Sequence, residues 1–186
     1  LLVDTVIALA RSRPKSEMKI CDVGTGSGAI AISLAVHLPS AEIMATDISQ
    51  RALDIADSNR RTHGVYNRVA LRCGNLLEPI DYKPEIIVSN PPYIREGDLL
   101  FLQPEIQYEP RVALDGGTDG LELIRGLLSQ SLDKVSSTGA ILFEIDAAQE
   151  NSARILSREY FPNSEISVLD DLSGDSRAIL IEKFSQ

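Results

Sequence analysis

Short apolar runs alternate with helix-like segments along this chain, and that alternation admits few folds. Residues 19–23, 42–46, 69–73, 85–89 and 140–145 read as strands. Residues 29–37, 51–63, 121–135 and 149–160 have helical spacing, and Pro39 and Gly64 stop the first two. The central strands are continuously apolar rather than alternating, the pattern of a sheet covered on both faces. Such a βαβα order predicts a doubly wound α/β sheet that places ligands at the C-terminal edges of its strands. Residues 166–169 and 178–182 predict a closing strand pair connected through Ser173-Gly174-Asp175. At 186 residues and 44% hydrophobic content, the chain suffices for one domain with a full core. No apolar run approaches the length of a membrane span, and nothing resembles a signal peptide.

The first strand opens into Gly24-Thr25-Gly26-Ser27-Gly28. Glycines there let the backbone turn sharply and approach a ligand closely, and the next helix presents free N–H groups. The spacing is G-x-G-x-G, not the G-x-G-x-x-G that captures a dinucleotide pyrophosphate. It suits a nucleoside cofactor with a zwitterionic tail, S-adenosylmethionine. Asp47, followed by Ile48, ends the second strand about twenty residues beyond the glycines, where a carboxylate can accept both ribose hydroxyls. The alternative is a strand-end Asp that caps the helix starting near Ser49. Asn75 and Leu76 follow the third strand, where an adenine could be hydrogen-bonded by one and packed by the other. A plain Gly74-Asn75 turn is the competing reading.

Asn90-Pro91-Pro92-Tyr93 follows the fourth strand. An amide or exocyclic amine nitrogen is a poor nucleophile until its N–H groups are held by fixed acceptors. The Asn90 side-chain oxygen can be one, and the Pro91 carbonyl, in a stiff step without N–H groups, a second. Tyr93 can pack on the flat group and face a sulfonium. Positioning and electrostatics would supply the rate, with no general base. The bland alternative is an extended turn after a strand. Together the two segments predict methyl transfer from S-adenosylmethionine to a planar nitrogen.

Residues 94–119 break the alternation. They hold Pro104, Pro110 and Gly116-Gly117, with at most a turn of helix near residues 99–102. Following Tyr93 directly, this stretch is expected to wall the site. The net charge of −9 opposes binding to a nucleic-acid backbone without a local basic patch. Arg51, Arg60, Arg61, Arg68 and Arg72 are the best candidates, diluted by Asp54 and Asp57, and read as a solvated helix face. Cys21 and Cys73 fit neither a metal site nor a redox motif and are expected as buried thiols of a reducing cytoplasm. His37 and His63 lie near helix ends, without a metal or catalytic role.

Asp22 to Gly28, Ser89 to Ile94, and Tyr108-Glu109-Pro110-Arg111-Val112-Ala113-Leu114-Asp115-Gly116-Gly117-Thr118-Asp119-Gly120-Leu121 together closely resemble the HemK-type peptide chain release factor glutamine N5-methyltransferases. Nearly the whole chain is covered. Asn-Pro-Pro-Tyr alone is shared with nucleic-acid amine methyltransferases, whereas the E-P-R-x-A-L-x-G-G-x-D-G-L segment is far more specific. The resemblance implies a class I S-adenosylmethionine-dependent methyltransferase fold, Rossmann-like, with a seven-stranded, mostly parallel sheet. It implies as substrate the glutamine of the Gly-Gly-Gln motif in a class 1 release factor, with ribosomal-protein glutamine and nucleic-acid amine methylation as alternatives. Neither nucleic acid nor a membrane is an expected partner. A cytoplasmic location follows, bacterial or else organellar. By the same carry-over Gly24 to Gly28 and Asp47 hold the cofactor, and Asn90 to Tyr93 hold the glutamine. The sequence departs from the family at Asp146, where Glu-Ile-Gly is frequent, and at Asn75, where Asp is frequent. Residues 1–10 read as the middle of an amphipathic helix. The family's N-terminal helical domain and an Arg-Pro-Glu-Thr-Glu stretch before the position of Leu1 are not in the sequence. Residues 1–186 are therefore expected to be a single catalytic domain, a fragment whose docking domain is missing.

Overall fold

The computed structural model of the chain describes residues 1–13, 18–102 and 110–183. Its strands are β1 (Met18–Val23), β2 (Ala41–Asp47), β3 (Val69–Cys73), β4 (Ile86–Ser89), β5 (Ala140–Glu144), β6 (Glu165–Asp170) and β7 (Ser176–Glu182). They form one seven-stranded sheet in the order β3-β2-β1-β4-β5-β7-β6. The pairings β1–β2, β1–β4, β2–β3 and β4–β5 are parallel, and β7 runs antiparallel to both β5 and β6. The chain winds outward from β1 to β3, then returns to β4 on the other side of β1. That reversal is the topological switch point at which doubly wound sheets bind ligands.

Among the described residues five α-helices cover the sheet: α1 (Leu2–Ser12), α2 (Ala29–His37), α3 (Gln50–Thr62), α4 (Glu122–Lys134) and α5 (Glu150–Tyr160). The apolar strands explain how both faces are served. Ile20, Ile86, Val88 and Leu142 join Val6 of α1 and Leu34 of α2 in one core. Their neighbours Cys21, Ile87, Ile141 and Phe143 point the opposite way and join Leu127 of α4 and Leu156 of α5. Side chains alternate across a strand, so a run must be apolar throughout to feed both layers.

Two expectations fail here. Cys21 is buried, but Cys73 is exposed. Cys73 ends β3, an edge strand whose burial fades toward its C-terminal end. The arginines are not one solvated face. Arg60, with a side chain only 14% exposed, pairs with Asp57 and donates to the Val69 carbonyl. Arg68 donates to the Ala35 and Leu38 carbonyls. Both have become ties between elements because their long stems reach carbonyls left open at helix and strand ends.

Candidate active site

Register brings the distant motifs together. Val23 of β1 pairs with Thr46 of β2 and with Ser89 of β4, and Ser89 pairs with Phe143 of β5. The next residue on each strand is Asp47, Gly24, Asn90 and Glu144. These four therefore leave the sheet in one row at its C-terminal edge, although almost a hundred residues separate the outer two. The buried Ser89 hydroxyl donates to the Val23 carbonyl at 2.8 Å and locks the two inner strands at that row.

Above the row lies a cavity of about 710 Å³. Gly24, Gly26, Asp47, Ile48, Asn75, Leu76, Asn90, Pro91 and Pro92 line it, as expected of candidate site residues. Thr25, Ser27, Gly28 and Tyr93 are not among its lining residues. Thr25 turns inward, and its hydroxyl donates to Asp22 Oδ2 at 2.6 Å. The Ser27 carbonyl accepts from Asn59 of α3 at 2.9 Å. Gly28 is the N-cap of α2 with φ +84, and a Cβ there would meet Ala56 Cβ of α3 at 3.2 Å. Left-handed backbone and lack of space both require glycine at this position.

Asp47 fulfils part of each reading made for it. Oδ2 accepts from the Gly26 N–H at 2.8 Å, and Oδ1 from the Ser49 N–H at 2.8 Å. Ser49 in turn caps α3 by accepting from Ala52 N. The carboxylate thus pins the glycine turn to the start of α3 and still lines the cavity, with lone pairs to spare on both oxygens. Asn75 donates to Glu78 Oε1 at 3.3 Å. Leu76 has φ +54, the one positive φ outside glycine among the described residues. A branched side chain held in that conformation costs of order 1–3 kcal/mol, and such outliers gather at ligand sites.

Asp22 lies directly beneath the glycine turn, fully buried. Besides Thr25, its Oδ2 accepts from Ala31 N of α2 at 3.0 Å, whereas Oδ1 has no partner among the described residues. Burial pushes the carboxyl up to about 6, against the two hydrogen bonds, and the nearby Asp47 adds to the rise. Sequence reasoning assigned this residue no role, though it is the only acidic residue within the strand that opens into the glycines.

Beyond β4, Asn90 is exposed at the cavity, and no hydrogen bond engages its side chain or the Pro91 carbonyl among the described residues. The Tyr93 hydroxyl approaches Glu144 Oε1 at 3.5 Å. Burial raises both groups above their ordinary ranges, and Arg177 opposes the rise at each. Asp146 caps the short 3₁₀ turn Ala147–Gln149 by accepting from Ala148 N at 2.8 Å. A glycine at that position would lack this cap.

The described residues of the stretch after Tyr93 are more ordered than their sequence suggests. Ile94 N donates to Leu114 O at 3.1 Å, Gly116 N to Ile94 O at 2.8 Å, and Glu96 N to Gly117 O at 3.0 Å. Short 3₁₀ turns occupy Glu96–Phe101 and Arg111–Ala113. Arg111 braces the zipped segments, reaching Asp115 at 2.9 Å and Glu96 at 2.8 Å. Glu96, Arg111, Asp115 and Thr118 line the cavity, so the described part of this stretch does wall it. Pro104, Tyr108 and Glu109 lie outside the described residues.

Residues 4–105, more than half of the chain, match the family described as "Methyltransferase small domain". The chain belongs to that family. The methyltransferase fold is borne out in three dimensions as well. The crystal structure of ribosomal protein L11 methylase from Lactobacillus delbrueckii subsp. bulgaricus covers 98% of this chain and 77% of its own at 25% identity, with a TM-score of 0.69. In sequence, this methyltransferase domain is 41% identical over 173 residues to the release factor glutamine methyltransferase of Moorella thermoacetica, 92% of this chain and 61% of that protein. It is also 37% identical over 158 residues to the ribosomal protein uL3 glutamine methyltransferase of Bradyrhizobium diazoefficiens, 84% of this chain and 48% of that protein. The chain thus spans about half to three-fifths of the length of these relatives. The resemblance read from the motifs extends over most of the sequence.

Proposed function

We propose that residues 1–186 act as one catalytic domain that transfers a methyl group from S-adenosylmethionine to the side-chain amide of glutamine in the Gly-Gly-Gln motif of a class 1 release factor. The observation that carries this reading is the row Asp47–Gly24–Asn90, which brings the glycine turn and Asn90–Pro92 to one cavity wall and supports the roles proposed for them. The similarity to release factor glutamine methyltransferases supports the substrate class.

The charge of the site fits this cofactor. Asp22 and Asp47 flank the glycine turn, and the buried Oδ1 of Asp22 lacks a partner among the described residues. Such a wall favours a cationic ligand and opposes a pyrophosphate. Gly24 and Gly26, both left-handed, leave space in which a ligand can approach their backbone, since a Cβ on either would meet nothing within 4 Å. Asp47 would hold the ribose, with Ile48, Leu76 and Asn75 around the base. When bound, the cofactor supplies an electrophilic methyl group. The chain's own part is to hold the amide: Asn90 and the Pro91 carbonyl accept from its N–H groups and fix the nitrogen in line. The amide proton leaves to solvent after transfer, so no base is required. Ion pairs and carbonyl bonds engage Arg60, Arg61 and Arg68, and none lines the cavity, which favours a protein over a nucleic-acid partner. This role places the protein where translation takes place, the bacterial cytoplasm or an organelle. No helix among the described residues is long and apolar enough to cross a membrane.

The 37% identity to a uL3 glutamine methyltransferase keeps that ribosomal protein as the second reading. Incubation of the protein with labelled cofactor and either a class 1 release factor or uL3, followed by peptide mass spectrometry, tests both. Label on the Gly-Gly-Gln glutamine is the expected result. Label on uL3 alone, or on neither, would overturn the release-factor assignment.

A further inference from the structure

We infer that Gln149 is a positioning residue that clamps the far end of the Asn90–Tyr93 segment, an inference that rests on the acceptor role proposed for that segment. Gln149 is 4% exposed and does not line the cavity. Its Nε2 donates to the Tyr93 carbonyl at 2.9 Å and to the Gly120 carbonyl at 3.2 Å, and its Oε1 accepts from Asp146 N at 3.1 Å. One buried amide therefore uses both donors and its acceptor to join three stretches of chain: the end of the acceptor segment, the glycine-rich wall and the turn after β5.

The acceptor segment needs such an outside tie for a chemical reason. Pro91 and Pro92 have no N–H, so the segment cannot be anchored through donors of its own there. The Pro91 carbonyl must stay open to serve the substrate. Anchors remain only at the two ends. Ser89 supplies the first, through β4 pairing and its bond to Val23. Gln149 supplies the buried tie at the second, at the Tyr93 carbonyl, next to the pairing of Ile94 with Leu114 and Gly116. A stiff Pro-Pro step held at both ends fixes Asn90 Oδ1 and the Pro91 oxygen relative to the glycine turn.

Two glycines of the wall make room for this arrangement. At Gly120, φ +75, a Cβ would come within 2.5 Å of both Gln149 Nε2 and the Tyr93 carbonyl oxygen. At Gly116 a Cβ would lie 2.9 Å from the Pro92 carbonyl oxygen. Gly116 and Gly120 are thus set by the carbonyls they face, whereas Gly117 faces the Glu122 side chain, and Gly120→Ala attacks the clamp from its opposite side.

Gln149→Leu, of similar volume without the amide, and Gly120→Ala test the inference. Calorimetry reads cofactor affinity, steady-state kinetics on the substrate protein separate kcat from KM, and hydrogen exchange reads residues 93–96 and 116–120. A displaced acceptor group predicts a kcat lower by on the order of a hundredfold, with cofactor affinity and substrate KM within about threefold of wild type and faster exchange in both segments. If one variant fails to fold, the other decides. Wild-type kcat and exchange, or a fall in cofactor affinity that matches the fall in kcat, would overturn the clamp. Should the wild-type protein methylate neither release factor nor uL3, the functional reading fails. The exchange data then still decide: faster exchange in 93–96 upholds the tie, and unchanged exchange overturns it.

Discussion

Asp47 and Asp54 are both acidic and lie seven positions apart, yet they should respond very differently to removal. Asp54 is exposed on α3 and, among the described residues, accepts only from Gln50, at 3.0 Å. Asp47 holds the glycine turn and α3 through its two oxygens and lines the cavity. Asp47→Ala is expected to weaken S-adenosylmethionine binding by about 1.5–3 kcal/mol, from lost charge-assisted bonds. Asp54→Ala should leave it unchanged, and equal calorimetric affinities would sink the ribose assignment. Asn90 separates binding from chemistry. With its side chain exposed at the acceptor end, Asn90→Ala should keep cofactor affinity within several-fold while turnover falls by about a hundredfold or more. Near-normal single-turnover rates would leave it a turn residue. That such residues line the cavity is legible because strand-end position and residue type place them at the sheet edge. Asp22 and Gln149 are not legible in this way, since their roles come from burial and from partners that no spacing rule predicts.

At the scale of elements, the strands and helices emerge within a residue or two of where periodicity places them. The described residues of the stretch from Ile94 to Asp119 do not. Their order comes from backbone bonds between positions about twenty residues apart, Ile94 with Leu114 and Glu96 with Gly117, and no local signal announces such pairing. The turns carry a sharper lesson about glycine. Gly28 and Gly64 share a left-handed φ, at +84 and +68, but their surroundings differ. A Cβ on Gly64 meets nothing within 4 Å, whereas one on Gly28 meets Ile32 at 3.0 Å and Ala56 at 3.2 Å. Gly64→Ala should cost about 1 kcal/mol from backbone strain alone. Gly28→Ala adds crowding between α2 and α3, for a total of about 2–4 kcal/mol. Urea denaturation of the two variants checks the order, and equal midpoints would show that α3 yields freely.

The whole molecule brings the glycine turn, Asp47 and Asn90 to a cavity at one edge of the sheet, and burying Asp22 there has a cost in global stability. Its carboxyl is raised in the fold from 3.8 to about 6. Between those values the folded chain keeps a proton that the unfolded chain has released. This group's contribution is therefore most favourable below about pH 4, declines as pH rises through the window, and settles above pH 6 at a penalty of about 3 kcal/mol. Asp57, Asp115, Asp119 and Asp171, all lowered by their partners, act with the opposite sign at more acidic pH. Asp22→Asn isolates the one term. An asparagine Oδ1 still accepts from Thr25 and Ala31, and its amide replaces the oxygen that has no partner among the described residues. Chemical denaturation from pH 4.5 to 7.5 should show the variant gaining on wild type as pH rises. The gap should open mainly below pH 6.5 and stay constant above it, because the shared terms of both proteins cancel. Parallel curves would mean that the fold already compensates the buried Asp22 carboxylate and leaves its carboxyl near the ordinary value.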